Sequence, residues 1–260
     1  MSALTVRTVD VNGRSCRIWE QGSGPRVYWL ASSPMLMRQT AFHEAMAAGV
    51  TLVTCGLPGF PGSEGHDILD SHLDWCLATR DLLQAAGFQP GDTLMGSTTA
   101  GALAADAAAL WPELIGKLIL IAPFGLWDDD APSTDMFAVT SKNAPALFCE
   151  NPERFLAQVA TPKDAEPVLW SIVVNRGNES AARFLWPFGD TRLSKRLHRI
   201  SAPTLLLWGA KDKVIPTSYA TTFAEGITGP ASIKLIPNAG HLAELDEPAA
   251  VVDAIFGFVG

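Results

Sequence analysis

Three side chains in this sequence could do chemistry together: the Thr98 hydroxyl, the Asp212 carboxylate and the His241 imidazole. An alcohol is a poor nucleophile near neutral pH, and an imidazole that takes its proton makes it a competent one. A carboxylate beside the imidazole fixes the tautomer and stabilises the imidazolium that forms. Each of the three follows a short apolar run. Thr98 comes after Thr93-Leu94-Met95-Gly96, Asp212 after Thr204-Leu205-Leu206-Leu207-Trp208, and His241 after the run ending Leu235-Ile236-Pro237. Such runs read as buried strands, so the three groups are expected on loops leaving one edge of one sheet.

The elements around them alternate. Leu4 to Val9 and Ser15 to Glu20 read as a hairpin across Asn12-Gly13. Arg26–Ala31, Val50–Cys55, Thr93–Gly96 and Lys117–Ala122 read as strands, with helical patterns over Ala41–Ala48, Leu69–Ala86 (closed by Gly87) and Thr99–Leu110. From Pro123 to Ala202 no strand run appears, and helical periodicity dominates for about 80 residues. Alternation then resumes with Pro203–Trp208, Tyr219–Glu225, Ser232–Ile236 and Pro248–Val259. This order predicts an α/β fold: a mostly parallel, eight-stranded sheet with helices on both faces. A core of 1–122 and 203–260 would carry a helical cap, 123–202, inserted after the sixth strand and covering the strand ends where ligands bind.

The order nucleophile, acid, histidine on strand ends resembles the α/β-hydrolase superfamily, in its capped, esterase-like form. Ala202-Pro203-Thr204-Leu205-Leu206-Leu207-Trp208-Gly209 with Asp212 is similar to the segment that carries that family's acid. Ile236-Pro237-Asn238-Ala239-Gly240-His241 with Glu244 and Pro248 is similar to the segment of its histidine. The resemblance implies Asp212 and His241 as acid and base. It also implies an oxyanion hole from backbone N–H groups of Thr99 and of the Ser32 or Ser33 region. The chain departs from the pattern at three places. The G-x-S-x-G elbow reads Gly96-Ser97-Thr98-Thr99-Ala100, the usual His-Gly is Ala31-Ser32-Ser33-Pro34, and the loop after the fourth strand lacks its aspartate.

Thr98 therefore leaves several readings open. The elbow holds its central residue at positive φ, which a β-branched side chain resists. Thr98 could be a slow nucleophile. It could orient a ligand while His241 acts as base in a lyase, cyclase or isomerase reaction. The site could be silent, leaving a ligand-binding protein, or Thr98 could be a replacement for serine that traps a ligand. The leading expectation is a cofactor-independent hydrolase of a small, largely apolar carbonyl compound, an ester or a C–C bond beside a ketone.

Met35, Phe60, Trp127, Phe137 and Trp186 are candidates for the substrate pocket, with Phe148, Trp170 and Met37 near them. Asp128-Asp129-Asp130 reads as the solvated start of a cap helix. Arg192 to Arg199 reads as one face of an amphipathic helix, Asp106 as a polar helix face, and His43, His66, His72 and His198 as surface or helix-face residues. The 260 residues are 48% hydrophobic and 18% charged, with a formal charge of −8, which argues for a globular chain and against nucleic acid or an anionic membrane as partner. Four dispersed cysteines show no metal-ligand spacing, and no cofactor or metal is expected. No run reaches the roughly 18 apolar residues of a membrane span, so a cytoplasmic protein with a small-molecule substrate is expected; a homodimer is left open.

Overall fold

The computed structural model describes every residue except Met1, Ser2 and Ser32, and the side chain of Pro34. Its strands are β1 (Thr5–Asp10), β2 (Ser15–Gly22), β3 (Arg26–Leu30), β4 (Thr51–Cys55), β5 (Thr93–Ser97), β6 (Lys117–Ile121), β7 (Thr204–Gly209) and β8 (Ala231–Ile236). They form one sheet in the order β1-β2-β4-β3-β5-β6-β7-β8. The first two strands pair antiparallel across a turn in which Asn12 and Gly13 take φ of 54° and 80°, as a tight hairpin turn demands. From β4 to β8 every neighbouring pair is parallel. The central strands β5 and β7 are buried along their whole length, which explains their unbroken apolar runs.

Helices α1 (Ala41–Met46), α2 (His72–Ala86) and α3 (Thr98–Leu110) connect the first six strands. The second starts three residues later than its apolar pattern suggests, because Ser71 and Asp74 form a capping box there. It ends as expected at Gly87, in the left-handed conformation. The third is buried on nearly all sides, and its alanines let it lie close under the sheet edge. A Cβ on Gly96 would come within 2.6 Å of the Ala104 Cβ and 2.8 Å of the Ala100 carbonyl oxygen, so only glycine permits this approach.

Between β6 and β7 lie α4 (Ala144–Phe148), α5 (Pro152–Val159), α6 (Pro167–Leu185) and short 3-10 turns, with no strand among the described residues. Two local expectations are corrected in this stretch. Asp128 to Asp130 start no helix. Asp128 Oδ1 accepts from the Asp130 N–H and Asp129 Oδ1 from the Trp127 indole, so the carboxylates close local turns in an exposed loop. Arg192 to Arg199 form two 3-10 turns, Leu193–Lys195 and Leu197–Arg199, in place of one helix. After β7 come α7 (Ser218–Gly226), α8 (Ala243–Asp246) and α9 (Pro248–Val259). No helix among the described residues is long and apolar enough to cross a membrane.

Candidate active site

Thr98 stands where β5 turns into α3, with φ of 52°. Of the non-glycine residues in the left-handed region it is the one with a branched Cβ, and such strain costs about 1–3 kcal/mol. The turn is held in place because the Thr98 carbonyl accepts from the Phe124 N–H at 3.1 Å. The side chain is 5% exposed.

Asp212 and His241 meet on neighbouring loops. The Lys211 N–H donates to the Ala239 carbonyl, and the Ala210 N–H to the Ile236 carbonyl. A Cβ on Gly209 would lie 1.9 Å from the Gly240 carbonyl oxygen, so this glycine lets the two loops touch. Asp212 Oδ1 accepts from the backbone N–H groups of Val214 and Ile215 at 2.8 and 2.9 Å. That leaves Oδ2 for the imidazole, and it lies 2.9 Å from His241 Nδ1 with both side chains fully buried. Phe124 and Phe148 pack on the imidazole with ring centroids 5.6 and 5.9 Å away. Nε2 has no hydrogen-bond partner, so the Thr98 hydroxyl is not engaged with it in this conformation.

A carboxylate of the histidine segment, to which the sequence assigned no role, lies close to Ser97 and His241. Glu244 of α8 is fully buried and neither of its oxygens has a hydrogen-bond partner. The Ser97 hydroxyl, also fully buried, lies beside it without a bond of normal geometry, although it is close enough to favour the ionised form. Burial pushes the Glu244 carboxyl up to about 7, opposed by its own backbone N–H, by the His241 charge and by Ser97. Asp246, two residues on, is fully engaged. Its Oδ2 accepts from the N–H groups of Gly240 and Glu150, and its Oδ1 from that of Asn151, so it anchors the His241 loop to the start of α5.

A cavity of about 510 Å³ opens beside this centre, within the range of small-molecule sites. Phe148 lines it and also packs on His241, and Ser33 lines it from the loop after β3. Met37, Met136, Phe137, Phe155 and Val159 make its wall apolar, while Asn175, Asn178 and Glu179 of α6 stand at its exposed side. Among the described residues that line it there is no lysine, arginine or histidine. A smaller cavity of about 170 Å³ near Trp111 lies at the far end of α3 from Thr98.

Of the residues expected in the pocket, Phe137 lines the cavity. Met35 and Phe60 are core residues, the latter packed on Trp75. Trp127 and Trp186 are exposed, the latter by 62%. Of the oxyanion-hole candidates, Ser33 lines the cavity, Thr99 is buried in the first turn of α3, and Ser32 lies outside the described residues.

Two other expectations are corrected here. Asp106 is fully buried, 2.7 Å from His72 Nε2 and bonded to the Arg196 guanidinium at 2.8 Å. His43 is fully buried among Trp19, Trp29 and Phe42, and burial pulls its pKa down to about 3. The donor atoms of His72, Cys76 and Asp106 lie within 4.8 Å of one another, but the Arg196 charge already holds that carboxylate and opposes a cation there.

Residues 17–254 match the alpha/beta hydrolase family. The chain belongs to that family. A curated relative is the 2-hydroxy-6-oxo-6-phenylhexa-2,4-dienoate hydrolase of Comamonas testosteroni, 27% identical over 216 residues, spanning 77% of this chain and 73% of that protein. Lipase 3 of Moraxella sp. (strain TA144) is 25% identical over 205 residues, spanning 75% of this chain and 64% of that protein. Among solved structures, the 2-hydroxy-6-oxo-6-phenylhexa-2,4-dienoate hydrolase from Rhodococcus sp. strain RHA1 superposes with a TM-score of 0.81 over the whole of both chains at 15% identity, a likeness of fold. The alpha/beta hydrolase is thus similar both to a C–C bond hydrolase and to a lipase.

Proposed function

We propose that this alpha/beta hydrolase cleaves a neutral, largely apolar ester, with Thr98 as nucleophile, His241 as general base then acid, and Asp212 as the group that orients His241. The observation that carries this reading is the fully buried Asp212–His241 pair at 2.9 Å with its Nε2 unpartnered, linked to the left-handed elbow by Phe124, whose ring packs on the imidazole and whose N–H bonds the Thr98 carbonyl. In the first step Thr98 Oγ1 attacks the carbonyl carbon while Nε2 takes its proton. The imidazolium then returns that proton to the leaving alkoxide, which leaves an acyl-threonine. Water, deprotonated by the same imidazole, attacks the acyl group and regenerates the Thr98 hydroxyl. The oxyanion of both tetrahedral intermediates would be held by the Thr99 N–H, unpaired within the helix as all first-turn donors are, and by the loop at Ser32 and Ser33. The helical segment 123–202 serves as the cap, since α4, α5 and α6 supply most of the cavity wall.

The cavity favours an ester over the carboxylate-bearing substrate named for the Comamonas relative. An anionic group would enter a space with no cation among its described lining residues and with the Glu179 carboxylate on its wall, and an unpaired charge taken from water is costly. C–C cleavage is the second reading, favoured by the similarity to the two dienoate hydrolases. The test is labelling with an alkyl fluorophosphonate followed by peptide mass analysis, together with turnover of neutral aryl esters and of their ω-carboxy counterparts. Modification of Thr98 that disappears in His241→Ala, with turnover confined to the neutral esters, is the expected result. No modification of Thr98 and no ester turnover would overturn the reading.

A further inference from the structure

The polar atoms around the elbow are unusual for a protein interior. His241 Nε2, the Ser97 hydroxyl and both Glu244 oxygens are all buried without partners, although an unmet buried polar group is destabilising. Ser97 precedes Thr98 directly, and Glu244 follows His241 by three residues, so the strand side and the histidine side of the site converge on one carboxyl group. Asp246 shows what a purely structural acid looks like here, with three backbone N–H donors. Glu244 has its own backbone N–H, the His241 charge and the nearby Ser97 hydroxyl to favour its ionised form.

We propose that Glu244 is a positioning residue that controls the protonation of His241, with Ser97 as its local partner. This rests on the reading of His241 as the base. While Glu244 holds its proton, the carboxylate that faces the imidazole directly is Asp212. Once Glu244 ionises, the imidazole feels two and holds its own proton to higher pH. The charged and titratable groups facing Glu244 are His241 and Asp246 on its own side, with Cys149 and Arg154 from the start of α5. Asp212 enters through His241. From α1 the buried titratable group is His43, which burial keeps neutral, and the buried face of α9 is Val251, Val252 and Ile255.

The test reads the imidazole itself, so it stands whether or not Thr98 supports turnover. With nitrogen-15-labelled histidine, the His241 ring is followed by NMR against pH and assigned with His241→Asn. In Glu244→Gln, which keeps the shape and removes the charge, the ring is expected to titrate about one pH unit lower than in the unsubstituted protein. Should that variant not fold, carbon-13 carboxyl labelling of the unsubstituted protein gives a second measurement. The Glu244 carboxyl and the His241 ring are expected to share an inflection near neutral pH, and Ser97→Ala is expected to move that inflection upward. An unchanged His241 midpoint in Glu244→Gln, or a single-site His241 curve with no inflection where Glu244 titrates, would overturn the proposal.

Discussion

Replacing Thr98 with serine tests the centre of the proposed chemistry. The γ-methyl has two effects in this structure. It sits on a residue at φ of 52°, where a β-branched side chain adds to a cost of about 1–3 kcal/mol. It also restricts χ1, so the hydroxyl cannot turn freely toward Nε2, which is left without a partner. Thr98→Ser frees χ1 and relieves only the part of that cost that the branch adds, and it loses one buried methyl, which costs about 0.8 kcal/mol. The two nearly offset, so the variant is expected within about 1 kcal/mol of the unsubstituted protein, a Tm change of at most roughly 4 °C. The larger effect is expected in the rate. A hydroxyl free to hydrogen-bond Nε2 and present an unhindered oxygen should raise kcat/KM on short-chain aryl esters a hundredfold or more, roughly 2.7 kcal/mol of barrier. The gain should appear in kcat with KM little changed, because the cavity wall is untouched. The assay is steady-state hydrolysis of an aryl ester series by both proteins, beside thermal unfolding of each. If Thr98→Ser folds with a Tm inside that range and gains nothing in kcat/KM, Thr98 does not deliver the attacking oxygen, and the nucleophilic role fails.

Other outcomes follow from the same geometry. In the Thr98→Ser background, Asp212→Asn should keep its oxygen on the Val214 and Ile215 N–H donors and turn its amide toward Nδ1, placing the ring proton on Nε2; kcat should fall on the order of 10⁴ with KM little changed, and an unaltered kcat would remove Asp212 from the mechanism. Arg196→Met leaves Asp106 buried beside His72 alone, so denaturant unfolding should show a loss of about 3 kcal/mol, whereas a loss under 1 kcal/mol would show that the pair carries little. His43 is neutral in the folded state down to about pH 3 but takes a proton near 6.5 once unfolded, so its contribution is steady above pH 6.5 and stability falls as pH drops through that value. Unfolding at pH 6.5 and pH 5 should show about 2 kcal/mol lost through this residue, and His43→Gln, which keeps an acceptor for the Thr40 N–H, should flatten that slope. Glu244 works in the opposite direction. Its folded carboxyl releases the proton near 7 and its unfolded one near 4.5, so stability declines as pH rises between those values, and Glu244→Gln should be more stable relative to the unsubstituted protein at pH 8 than at pH 5.

Most of the scaffold was legible because local chemistry and fold agree. Asn12-Gly13 can form few things other than a tight turn, Gly87 ends α2 in the left-handed conformation, and the apolar runs before Thr98 and Asp212 are buried central strands. The run before His241, expected to be buried, is instead the edge strand β8, exposed along most of its length because no strand among the described residues covers its outer side. The positive φ of Thr98 is what its resemblance to the family's elbow implied. The readings that failed share a cause. Asp106 and His43 look like ordinary polar helix residues, and Asp128-Asp129-Asp130 looks like a helix start, when only neighbours in sequence are considered. Asp106 is buried because Arg196, 90 residues away, meets it. His43 is buried because Trp19 and Trp29 enclose it from two strands. The Asp128 and Asp129 carboxylates find partners within their own turn, so no helix gains from them as caps.

By itself the sequence determined the order of elements, the strand ends that carry Thr98, Asp212 and His241, and the unusual hydroxyl at the elbow. Those follow from periodicity and turn residues, which act over a few positions. The tertiary structure alone decided that Asp212 faces His241 at 2.9 Å, that α4, α5 and α6 enclose an apolar cavity with no cation among its described lining residues, and that Glu244 is buried near Ser97 without a hydrogen-bond partner. Burial and electrostatic environment are set by segments that meet only after the chain has closed, and no local pattern records which groups they will bring together.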